Sequence, residues 1–155
     1  MKRPFKTFVT VSFFVYVLLM ISILFFRNRY ADGLSISEYM DRFSNFVPFK
    51  TIKTYVTYFF AGKINRGIVY RNIFGNMLLF MPLTVFLYSL FPKMKNVFAN
   101  LSVIFVCIVT TETVQLLFKI GSIDIDDIIL NMIGALLGFL VVSLKPIGNF
   151  IDKNV

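Results

Sequence analysis

A chain of 155 residues is short enough for one domain, yet 57% of it is hydrophobic, only 15% is charged and its mean hydropathy is +0.78. Soluble domains carry roughly 25% charged residues, so a soluble fold of this composition could not cover its own apolar surface, and lipid is the expected solvent. The net charge of +8 comes from 16 Lys and Arg against 8 Asp and Glu, and these basic residues lie between long apolar runs, which points to membrane topology and away from nucleic acid.

The first apolar run, Thr7 to Phe26, has no charged residue and matches the roughly 20 residues needed to span a bilayer. Lys2, Arg3 and Lys6 before it resemble the start of a signal peptide. The run is longer than a signal core and no small-x-small site follows Phe25-Phe26-Arg27, so a retained signal-anchor helix is expected. The segment from Arg27 to Asn72 carries 8 basic residues. Within it Ile52, Tyr55, Val56, Phe59 and Phe60 recur at helical spacing, with Lys50, Lys53, Thr54 and Thr57 opposite and Gly62 as a stop. That pattern predicts a helix lying in the interface or re-entering the membrane.

The second run, Ile73 to Phe91, contains Asn76 and Pro82, and the proline should kink it and free backbone groups that neighbours must satisfy. Val97 to Phe118 follows, interrupted by Glu112 and Gln115, and then Ile128 to Leu144, closed by Lys145-Pro146. The expected fold is therefore all-α: four transmembrane helices plus one interfacial or re-entrant amphipathic helix, in a single domain over residues 1–155. Lys2, Arg3, Lys6, Lys93, Lys95, Lys145 and Lys153 would all share one side, which predicts cytoplasmic N- and C-termini.

The single Cys107 excludes an intrachain disulfide, and with no histidine a zinc site is not expected. No metal site and no cofactor are predicted. Chemistry rests instead on polar residues near helix ends. An ionised carboxylate inside a membrane helix costs about 2.5–3.5 kcal/mol on insertion scales and normally faces protein or water, which singles out Glu112. Gln115 and Lys119 are spaced to follow it on one helical face. Asp124, Asp126 and Asp127 precede the last run, where capping could account for one or two of them. Asp127 and Asn131 are four apart, as are Asn72 and Asn76, the latter pair beside Arg71. Gly134-x-x-x-Gly138 suits close helix packing and also leaves self-association open.

In the four-helix topology Arg71, Asn72, Asn76, Glu112, Gln115, Asp124, Asp127 and Asn131 fall at one membrane face. They predict a polar pocket for a lipid head group, a cell-wall precursor or a lipoglycopeptide. Glu112 and Asp127 are the candidate catalytic residues if a reaction occurs, although no recognisable catalytic motif is present.

At these residues the chain resembles the VanZ-like family of bacterial membrane proteins. The matching pieces are Asn45-Phe-Val-Pro-Phe49, Arg71-Asn72-Ile-Phe-Gly-Asn76, Phe80-Met-Pro82-Leu, Glu112-Thr-Val-Gln115, and Asp124-Ile-Asp-Asp127-Ile-Ile-Leu-Asn131-Met-Ile-Gly134-Ala-Leu-Leu-Gly138, in that order across residues 45–138. Many members carry arginine where this chain has Gly121, and glycine where it has Thr84. If that arginine balances the acids, Arg71 or Lys119 must do so here. The resemblance implies a plasma-membrane protein of a Gram-positive bacterium, associated with antibiotic resistance of the teicoplanin (glycopeptide) type. It implies no reaction. The expected function is to alter or occupy the outer cell-envelope surface; the alternative is an intramembrane enzyme acting on a lipid or cell-wall precursor, and a transporter is a third reading.

Overall fold

The computed structural model describes residues 2–25 and 33–155. Phe26, the last residue of the first expected run, and Arg27 lie outside the described residues. The chain is all-helical there: α1 Lys2–Phe25, α2 Ile36–Phe43, α3 Lys50–Phe60, α4 Arg66–Leu79, α5 Met81–Leu90, α6 Val97–Leu117, α7 Ile125–Ser143 and α8 Lys145–Asn154. Four helical stretches are long and apolar enough to cross a bilayer: 4–25, 66–90, 97–117 and 125–143. The chain is a multi-pass membrane protein, and helices dominate because in lipid every backbone amide must bond within the protein.

The second span is broken as Pro82 predicts. Proline cannot donate to the carbonyl four residues back, and the helix divides at Phe80 into α4 and α5. The Tyr16 hydroxyl of α1 donates to the Leu79 carbonyl at this break. Phe13, Tyr16 and Met20 of α1 pack on a core of Phe80, Leu83, Ile104, Ile108 and Ala135.

Helices α4–α5 and α7 run parallel, and their backbones approach closely. A Cβ on Gly134 would lie 1.7 Å from the Met77 carbonyl oxygen, and one on Gly138 would lie 2.7 Å from that of Met81. The glycine stripe is therefore occupied by packing within the chain, which removes it as the face for self-association.

The amphipathic segment forms helix α3, and its stop is the one expected: Ala61 ends the helix and Gly62 takes φ +65°. Two further helices have no counterpart among the expected elements. The first is α8, which starts at Lys145-Pro146, where Pro suits an opening turn. It is tied back by the Lys95–Asp152 ion pair and an edge-on contact of Phe5 with Phe150 at 5.6 Å.

The second is α2, which opens on a capping box. The Glu38 amide donates to Ser35 Oγ at 3.2 Å, while the Ser35 hydroxyl and amide donate to the Glu38 carboxylate at 2.7 and 2.8 Å. The Ser35 hydroxyl first, and then its backbone amide, hold the Glu38 carboxyl below its ordinary 4.5. A depressed folded-state pKa stabilises above the unfolded value and is lost as pH falls through the folded one. Amide-exchange protection over Ser35–Tyr39 is thus expected to hold at neutral pH and to drop in acid, as the pH falls through the lowered Glu38 value. Glu38→Gln should abolish that pH dependence.

Candidate functional site

At one end of the bundle the starts of α4 and α7 meet the end of α6, and α2 and α3 pack over them. The acidic run is distributed among three tasks here. Helix α7 begins at Ile125, so Asp124 is its N-cap and Asp126 and Asp127 lie inside its first turn rather than before it.

Asp124 accepts from the Asp126 amide at 2.9 Å, capping its own helix. Its carboxylate also takes the Asn45 side-chain amide at 3.0 Å and the Thr51 hydroxyl at 2.7 Å. Asn45 pairs with this strip through its backbone as well, donating to Ile123 at 2.8 Å and accepting from Ile125 at 2.9 Å.

Asp126 is fully buried and caps a different helix. Its carboxylate accepts the backbone amides of Phe49, of Thr51 at 2.7 Å and of Ile52 at 3.0 Å, all at the start of α3. A buried carboxylate is tolerable there because free N–H groups and the positive end of a helix dipole face it. Phe49, next to this clamp, has φ 65°. Positive φ is strained for an aromatic residue, by about 1–3 kcal/mol, and persists only where surroundings over-determine it; the Asp126 contact supplies that constraint.

Asp127 faces α4, where it accepts from the Asn76 side chain. It lines a cavity of about 210 Å³ together with Asn72, Gln115, Asp124, Thr51, Ser122, Tyr39 and Tyr55. Four of the sequence-derived candidates, Asn72, Gln115, Asp124 and Asp127, thus meet around one space. Gln115 is also fixed from behind, donating to the Leu24 carbonyl of α1 at 2.8 Å.

The other candidates lie around this space rather than on its wall. Glu112 is buried in α6, about one turn deeper than Gln115. Asn131 is buried one turn below Asp127, and its Oδ1 has no hydrogen-bond partner among the described residues. Arg71 and Asn76, together with Asn72 from the cavity wall, line a second, larger groove of about 620 Å³ with Ile23, Leu24, Tyr55, Ile68, Gly75 and Leu79.

Two expectations about charge are corrected. Lys119 is not on the Glu112 face: α6 ends at Leu117, Lys119 takes φ 52°, and its ammonium donates to the Leu34 carbonyl. Nor does Arg71 or Lys119 meet Asp124 or Asp126, which are held by neutral amides and a hydroxyl, while Arg71 lines the second groove. Gly121 also leaves little room for a side chain, because its Cβ would meet Gln115 Cβ at 3.1 Å.

Residues missed as site candidates are Thr51, Tyr39, Tyr55, Ser122 and the clamp residue Asp126. The available signal was the pairing of Asn45-Phe-Val-Pro-Phe49 with the acidic run in one resemblance; Tyr39 carried none.

The sequence profile of the family described as VanZ/LLP1 matches residues 13–146. The chain is 25% identical over 131 residues to Protein VanZ of Enterococcus faecium, an alignment that covers 84% of this chain and 71% of that protein. No solved structure matches.

Proposed function

Since the chain belongs to the VanZ/LLP1 family, we propose that it lowers susceptibility to teicoplanin-type lipoglycopeptides by altering or occupying the outer surface of the cell envelope. The observation that carries this reading is the convergence of Asn72, Gln115, Asp124 and Asp127, from α4, α6 and α7, on one cavity. Termini on the cytoplasmic side, as the lysine distribution argues, turn that cavity to the exterior leaflet. Its 210 Å³ falls below the roughly 300–1,000 Å³ of drug-sized sites, so it suits one polar head group rather than a whole antibiotic. Occupying or reshaping envelope head groups fits that size. Asp127 would accept hydrogen bonds from the bound group's hydroxyls or amides, with Asn76 fixing its carboxylate and the Asn72 and Gln115 amides completing the wall.

The intramembrane-enzyme alternative would use Glu112 or Asp127 as general acid or base, or the pair to hold a divalent cation. Glu112 is buried off the cavity wall while Asp127 lines it, so only Asp127 is placed for the single-carboxylate form, and the binding reading is preferred because no catalytic motif accompanies it.

The test is expression of wild type, Asp127→Asn and Glu112→Gln at matched membrane levels in a susceptible Gram-positive host, reading teicoplanin susceptibility and binding of fluorescent teicoplanin. Wild type is expected to reduce both. Asp127→Asn should lose the protection, since removing an ionised acceptor from a site weakens binding by about tenfold or more. Unchanged readouts for wild type and both variants would sink the resistance reading.

A further inference from the structure

We propose that the groove between α1, α3 and α4 holds one anionic phospholipid, its phosphate on Arg71 and Asn72 and an acyl chain running toward Leu79. This concerns the space beside the polar cavity, with which it shares Asn72 and Tyr55, and its readout is lipid binding rather than antibiotic susceptibility.

The groove has the volume and the polarity gradient for such an occupant. Its 620 Å³ lies within the roughly 300–1,000 Å³ of small-molecule sites. Arg71 lies five residues into α4, about 8 Å along the helix, and Leu79 a further eight residues, about 12 Å, deeper. The groove therefore runs from one polar end toward mid-bilayer, close to half the roughly 30 Å hydrocarbon thickness. Arg71 and Asn72 mark its polar end, Asn76 lies one turn deeper with its side-chain amide given to Asp127, and Ile23, Leu24 and Leu79 supply apolar wall.

Charge selects the head group. Among the described residues the lining contains one cation and no carboxylate, and Arg71 forms no ion pair. A guanidinium within a membrane span normally has an anionic partner or reaches the interface, and phosphate matches its planar donor fork. A zwitterionic head group would bring a second cation against Arg71 and should bind less well.

Gly75 is the independent observation. It lines the groove at mid-helix, where glycine weakens α4 relative to alanine. Unlike Gly134 and Gly138 it is not required by packing, because a Cβ there meets nothing within 4 Å. What its missing side chain leaves open is the groove itself.

The experiment titrates the purified protein in neutral detergent with short-chain phosphatidylglycerol, with phosphatidylcholine of the same chains, and with inorganic phosphate. Bound stoichiometry is read by native mass spectrometry and the unfolding midpoint by circular dichroism. One phosphatidylglycerol per chain is expected, held about tenfold more tightly than phosphatidylcholine. Arg71→Gln should erase that preference. Gly75→Leu should weaken both lipids while leaving the lipid-free midpoint at or above that of wild type, which separates a filled groove from a misfolded protein. Equal binding of the two lipids by wild type, or an unchanged preference in Arg71→Gln, would mean ordinary annular lipid and overturn the proposal. So would inorganic phosphate competing fully while Gly75→Leu changes nothing, since that describes a free-anion site.

Discussion

Asp126→Ala is expected to undock helix α3 and to destabilise the protein by about 3 kcal/mol or more. The substitution removes the acceptor for the amides of Phe49, Thr51 and Ile52 at once. Each donor left without a partner in a partly buried setting costs about 1–3 kcal/mol, although water entering the opened loop recovers part of that. The strained φ of Phe49 then has nothing to hold it, so the 45–51 loop should relax rather than persist. Asp126→Asn keeps an acceptor oxygen but loses the charge facing the start of α3, and should fall between wild type and alanine. Unfolding in mixed micelles gives the stability difference. Amide exchange at residues 49, 51 and 52 locates it. A cost no larger than the roughly 0.5 kcal/mol typical of surface changes would show that the clamp does not hold α3.

This clamp also shows where sequence reasoning stops. The spans were legible because hydropathy and length are local: the expected ends at 91, 118 and 144 fall one residue past Leu90, Leu117 and Ser143, whereas the expected start at 73 falls seven residues after Arg66, where charged and polar residues open the helix. The break at Pro82 followed from the chemistry of proline alone. The gathering of polar residues at one end was legible too, since alternating helix directions fix which ends meet. What each acid does there was not. Asp124, Asp126 and Asp127 are equivalent on paper, whereas the distribution depends on where a loop 75 residues away from Asp126 returns. Helix α8 was hidden for a different reason. Lys145-Pro146 reads equally as the end of a span and the start of a surface helix, and here it is both.

Glycine substitutions give the sharpest test of the packing, because three positions with the same residue predict three different results. Gly134→Ala should be the most damaging, by about 3 kcal/mol. Its Cβ would stand 1.7 Å from the Met77 carbonyl oxygen and 2.6 Å from the carbonyl carbon, and backbone cannot step aside as a side chain can. Helices α4 and α7 would have to separate, which also pulls Asn76 away from Asp127. Loss of fold and loss of the polar cavity should therefore appear together. Gly138→Ala meets Met81 at 2.7 Å on the carbonyl oxygen and 3.0 Å on Cγ; a small shift plus rotation of a flexible methionine should limit the cost to about 1–2 kcal/mol. Gly75→Ala meets nothing within 4 Å and should stabilise α4 by about 0.5–1 kcal/mol through helix propensity. Unfolding of the three variants in the same micelles is the measurement, and the order 134, 138, 75 is the prediction. If Gly134→Ala proved as mild as Gly75→Ala, α4 and α7 could not touch through backbone at Met77. The Asn76–Asp127 contact and the wall it gives the cavity would then lose their structural basis as well.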